Sequence, residues 1–160
     1  MNRYWRRFPA QLADYTNHCV NLSVTDAQGR PIDSTWHGGV LRVNSILDLK
    51  IRIENVGPLD MADVSVMLIA QGGYVQLEGP TGNTWSKIHS VRIGALASGN
   101  TSFAAARMRG LKATPSTDGH ALVSATLYWE ARFASGELRS DARVVAAPAA
   151  PAAPMAFIIA

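Results

Sequence analysis

One cysteine, Cys19, serves all 160 residues. A single thiol cannot close an intrachain disulfide, so the fold stands on packing and hydrogen bonds in any redox compartment. Long apolar runs are missing as well: no stretch approaches the ~18–20 apolar residues needed to span a bilayer. The first residues carry arginines, but FPAQLADYTNH follows them where a secretory signal would place an apolar run of ~7 or more residues. The expectation is a protein without a standard export signal, cytoplasmic or part of a particle. Acids are sparse, with 12 Asp+Glu, and no P-loop, dinucleotide fingerprint or nucleophile elbow is present. His37, His89 and His120 are isolated, and no histidine pair has a metal-ligand spacing. Asp60 and Asp63 bracket a turn, too few oxygens for Ca²⁺, which takes about six or more. His18 and Cys19 are neighbours; on a strand their side chains would point to opposite faces, so they cannot form a thiolate–imidazolium pair. Cys19 reads as a small buried hydrophobe. These absences argue against an enzyme and against any bound metal or cofactor.

What the chain has in quantity is period-two alternation. In LDLKIRIE, Leu47, Leu49, Ile51 and Ile53 share one face, and Asp48, Lys50, Arg52 and Glu54 the other. A helix would scatter those apolar residues around its circumference, so the segment is a half-buried strand. VNLSVT at 20–25 alternates the same way. NVGPLD then supplies turn chemistry, with Gly57 able to take positive φ and Pro58 fixing φ. ADVSVMLIA resumes with Ala62, Val64, Val66 and Leu68 inward. Shorter or weaker strands are expected at 73–79, 88–96 and 101–108. ALVSATLYWEARF is expected as the longest strand, ASGE as its hairpin connection and LRSDARVV as its partner. AQLADYTNH allows one or two helical turns, and no longer amphipathic helix competes. Seven to nine such strands, separated by Gly, Pro, Asn and Ser clusters, predict an all-β fold. The expected form is a two-sheet antiparallel immunoglobulin-like sandwich over residues 19–145, with extensions at 1–18 and 146–160.

The stretch from Leu47 to Gln71 resembles the CARDB-like and related bacterial immunoglobulin-like repeats. Their pattern is an alternating strand ending in Asn-x-Gly, a short turn, a small residue and Val-x-Val. Here the matching positions are Asn55, Gly57, Ala62, Val64 and Val66. The resemblance implies the sandwich fold and the work of a spacer or interaction module rather than of an enzyme. Both terminal extensions lie outside it.

The net charge is +3, and removing Arg3, Arg6 and Arg7 leaves 12 basic against 12 acidic residues. The excess therefore sits in the arm MNRYWRRFP, and the neutral body lacks the basic face of a nucleic-acid-binding domain. In that arm Tyr4, Trp5 and Phe8 interleave with Arg3, Arg6 and Arg7, the residue types that anchor protein–protein contacts. At the other end, Ala-Ala-Pro triplets precede Met155, Ala156, Phe157, Ile158, Ile159 and Ala160. Such triplets favour polyproline II at ~3.1 Å per residue, giving residues 146–154 a reach of about 28 Å. Burying Phe157, Ile158 and Ile159 would contribute ~1.5–3 kcal/mol each. That offsets ~1–2 kcal/mol per residue of backbone ordering only if a groove or sheet edge adds hydrogen bonds. Met67 and Ile69 occupy the face of their strand where polar residues are expected, and mark either a covered surface or a partner-facing patch.

The expected function is a non-catalytic structural or adaptor subunit of a larger assembly, such as a phage-like particle, a filament or a bacterial multi-subunit complex. Its partners would be proteins, either copies of itself or other subunits, rather than nucleic acid or membrane. The candidate contact residues are Arg3, Tyr4, Trp5, Arg6, Arg7, Phe8, Met67, Ile69, Met155, Phe157, Ile158 and Ile159. The alternative is a module that binds a carbohydrate or another ligand, in which Trp36 and Trp85 would stack on a sugar and Asn83 bind its hydroxyls.

Overall fold

Alternation becomes pairing in the computed structural model, which describes residues 9–32, 40–78, 84–115, 119–130 and 133–146. Sheet I has the order β1-β3-β7-β5, from β1 (Val20–Thr25), β3 (Ile46–Asn55), β7 (Thr101–Gly110) and β5 (Val75–Glu78). Sheet II has the order β6-β4-β8-β9, from β6 (Ile88–Leu96), β4 (Met61–Gln71), β8 (Ala121–Trp129) and β9 (Phe133–Ala142). All pairs within both sheets are antiparallel. A short parallel pair joins β2 (Leu41–Arg42) to β10 (Val144–Val145) at one end. The apolar faces meet between the sheets. Ile51 and Ile53 of β3 and Leu77 of β5 are fully buried, as are Val64, Val66 and Leu68 of β4. The two-sheet sandwich is thus what the period-two pattern implied.

The N-terminal side of the domain is more structured than the sequence suggested. Residues 9–18, expected within an arm, belong to an 11-residue helix, α1 (Pro9–Cys19). Proline suits the first helical position, where its missing N–H costs nothing. Its sequence carries no long apolar stripe, yet Tyr15 and Thr16 dock it on the core. Tyr15 is 3% exposed, and its ring centroid lies 5.6 Å from that of Trp129. Thr16 accepts a 2.7 Å hydrogen bond from the Trp129 indole, itself fully buried.

The Asn-x-Gly signature owes its form to this docking. Asn55, at the end of β3, is fully buried. Its amide donates to the carbonyls of Leu59, at 2.7 Å, and Leu96, at 3.1 Å, and its Oδ1 accepts from the Gly57 N–H. The Tyr15 hydroxyl donates to the same Oδ1 at 2.8 Å and accepts from the Leu59 N–H at 2.9 Å. A single side chain therefore closes the β3–β4 turn and ties it to both α1 and β6, leaving buried polar groups satisfied. Gly57 is needed for space rather than for positive φ: a Cβ there would collide with the Tyr15 hydroxyl and approach the Cys19 Cβ to 2.6 Å.

Two local expectations are corrected. The β8–β9 connection falls between Trp129 and Phe133, because these two residues already pair with each other. ASGE belongs to β9, where Gly136 (φ 76°) accompanies a register shift between Thr126 and Leu127. Glycine inside a strand often marks such a bulge, and the Ser-Gly pair imitates a turn only when read alone. On β4, register shifts around Asp63 (φ 55°) turn Met61 inward to 2% exposure, in place of the half-buried Ala62.

Candidate functional site

The outer face of sheet II gathers the two apolar residues that alternation left unexplained. Met67 and Ile69 of β4 are half-buried. Register places Ser90 and Thr126 beside Met67, and Ile88 and Ser124 beside Ile69. Ile88 is 55% exposed and extends the apolar strip to the edge strand β6. The Met67 and Ile69 side chains both belong to the outer surface of sheet II. Ile88 was missing from the sequence-based set because its neighbour is fixed by register, not by local pattern. Ser124, beside the strip, is 4% exposed and accepts a 2.7 Å bond from Gln71.

The outer face of sheet I is built from charge and aromatics. An antiparallel bridge between Leu77 and Ser86 sets Trp85 alongside Glu78 at the β5 edge. Glu78 faces Arg107 on β7, and Arg107 faces Asp48 on β3. Glu78 is 1% exposed and forms an ion pair with Arg107. The Trp85 ring lies over both neighbouring guanidinium groups, 4.7 Å from that of Arg109 and 5.6 Å from that of Arg107. Arg109 also donates to Gln76 at 2.7 Å. Farther along the same face, the Lys50 ammonium sits 4.6 Å from the ring of Phe103, which is 54% exposed. Cation–π contacts of this kind contribute ~0.5–1 kcal/mol at exposed sites. Trp85 is thus committed to two arginines. Its expected companions Trp36 and Asn83 lie outside the described residues, as do Arg3, Tyr4, Trp5, Arg6, Arg7, Phe8, Met155, Phe157, Ile158 and Ile159.

A third feature was not legible in the sequence. A cleft of about 270 Å³ opens between α1, β1 and β9. Val20, Leu22, Leu127 and Leu138 line it with apolar surface, and Asn17, Asn21 and Glu137 are exposed residues of its lining. Only the topology, which makes β1 and β9 the facing edges of the two sheets, creates it.

Titratable chemistry is thin. Among the described residues no group of three or more His, Cys, Asp or Glu could hold a metal ion. Burial pushes the Tyr15 phenol above its ordinary value, with the bonds to Leu59 and Asn55 pulling partly back, so this hydroxyl stays protonated in its structural post. No helix among the described residues is long and apolar enough to cross a membrane.

No family model and no curated protein matches the chain. Solved structures do. The CARDB domain of the PF1109 protein from Pyrococcus furiosus aligns with a TM-score of 0.51 at 14% identity, over 79% of this chain and 94% of that one. A crystal structure of the same domain in complex with di-metal ions gives 0.50 at 14% identity, over 80% and 94%. A conjugative transposon lipoprotein from Bacteroides eggerthii gives 0.52 at 9% identity, over 78% and 96%. AvmM, which catalyzes macrocyclization in alchivemycin A biosynthesis, gives 0.51 at 10% identity, over 82% and 92%. An enzyme stands among these neighbours, so the likeness speaks to fold and not to activity. The resemblance carried by Asn55, Gly57, Ala62, Val64 and Val66 therefore extends, as a likeness of fold, over most of the chain: this is a CARDB-like β-sandwich.

Proposed function

We propose that the chain is a non-catalytic structural subunit of a larger protein assembly, a sandwich whose surfaces and terminal segments contact neighbouring subunits. The observation that carries this reading is the apolar strip of Met67, Ile69 and Ile88 on the outer face of sheet II. A water-facing sheet surface is ordinarily polar, and contiguous apolar patches there are the usual substrate of protein contacts. The hydrophobic segment MAFIIA and the arginine–aromatic arm, both read from the sequence, support it. The sugar-binding alternative gains nothing comparable, because Trp85 is engaged by Arg107 and Arg109.

The test is Ile69→Lys combined with Ile88→Lys. Both side chains point away from the core, so the sandwich is retained, as circular dichroism would show. Sedimentation velocity at micromolar concentration should register a smaller particle than for the unaltered chain. Identical sedimentation of the two proteins contradicts the proposed role of the strip.

A further inference from the structure

We propose that the cleft between β1 and β9 receives the segment Met155–Ala160 of a neighbouring copy of this chain, entering as an extended strand. This deepens the assembly reading above and rests on it.

The seam between the two sheets is sealed at one end and open along part of its length. β1 is an edge of sheet I and β9 an edge of sheet II. Ile32 lies between them: its N–H donates to the Val24 carbonyl of β1 at 3.4 Å, and its carbonyl accepts from the Asp141 N–H of β9 at 3.0 Å. The Ile32 side chain is 2% exposed. One residue of extended chain thus already binds both sheet edges while inserting its side chain between the layers. The cleft continues this seam toward α1, where Val20, Leu22, Leu127 and Leu138 present apolar surface. Edge strands offer a row of backbone N–H and C=O groups, and an added strand takes affinity from those groups and specificity from alternate side-chain pockets.

The segment MAFIIA has the matching pattern. In an extended chain Met155, Phe157 and Ile159 fall on one face. It carries no charged side chain to desolvate. The volume of about 270 Å³ suits side chains from one strand face rather than a folded element. Beyond Ala146, the last described residue, the Ala-Pro stretch to residue 154 would reach about 25 Å in polyproline II form. The course of the chain favours delivery to another copy. β9 runs from the cleft at 136–138 to Ala142, β10 continues beside β2 beyond that far end, and Ile32 already occupies the seam between Val24 and Asp141.

The experiment uses the full chain with Phe157→p-benzoylphenylalanine, assembled from an equal mixture of ¹⁴N and ¹⁵N copies and irradiated. The expected result is crosslinks joining light to heavy copies, mapped by mass spectrometry to Val20–Leu22 or to 136–138. Leu138→Arg should abolish them. Should that variant fail to fold, Asn21→Arg, on the exposed mouth, should do the same. Crosslinks to these strands confined to single copies would overturn delivery between copies. Crosslinks between copies that map elsewhere would overturn the cleft while leaving the assembly reading intact. Absence of any multimer in the mixture would overturn both.

Discussion

At the scale of single residues, the turn after β3 rests on one hydroxyl and one amide. Tyr15 is buried, and its hydroxyl both donates to Asn55 and accepts from the Leu59 N–H. Tyr15→Phe keeps the ring against Trp129 but takes the acceptor from the Leu59 N–H and one of the two bonds from Asn55 Oδ1, which Gly57 still serves, a loss of ~1–3 kcal/mol. Burial raises the Tyr15 phenol above its ordinary value of 10.0. A group raised in the folded state contributes stability that is complete below its unfolded value and disappears as pH rises through the folded one. The gap between the wild type and Tyr15→Phe should therefore be full at neutral pH and narrow above pH 10. Urea unfolding at both pH values checks this, and a constant gap contradicts it. None of this was visible in AQLADYTNH, where Tyr15 is one polar-tipped residue among many. Its role depends on Asn55, 40 positions away.

At the scale of elements, alternation identified β1, β3, β4 and β8 because a half-buried strand must separate apolar from polar side chains residue by residue. The same rule misplaced the β8–β9 turn, since the bulge at Gly136 and the turn at Glu130 follow from pairing across strands. The Trp85–Glu78–Arg107–Asp48 row illustrates the same limit. Its members come from four separate segments and meet only once β5, β7 and β3 are in register. Glu78 is 1% exposed with Arg107 as its ion-pair partner. Arg107→Met strands a buried carboxylate. The loss should fall below the ~3–5 kcal/mol typical of a fully buried pair, because the Arg107 side chain is 31% exposed. Arg107→Met with Glu78→Leu should recover most of it, since no unpaired charge remains. Thermal or urea unfolding of the single and double variants reads the difference. A double variant as unstable as the single would contradict an electrostatic origin.

At the scale of the whole molecule, the proposed function assigns rigidity to the sandwich and contacts to its surfaces. The fold was legible from strand count and spacing, and the Leu47–Gln71 stretch pointed to its CARDB-like form. Within the described residues, candidate contacts were legible where one strand broke its own pattern, as at Met67 and Ile69. The cleft between β1 and β9 was not, because it belongs to no single segment. The central proposal is that the chain works by holding neighbouring subunits rather than by transforming a substrate. Its most direct test is the native mass of the chain at micromolar concentration, compared with the same chain ending at Ala146. The account predicts a defined multimer for the full chain and a folded particle of lower mass for the shortened one. A full-length chain that remains a monomer of 17.2 kDa would contradict it.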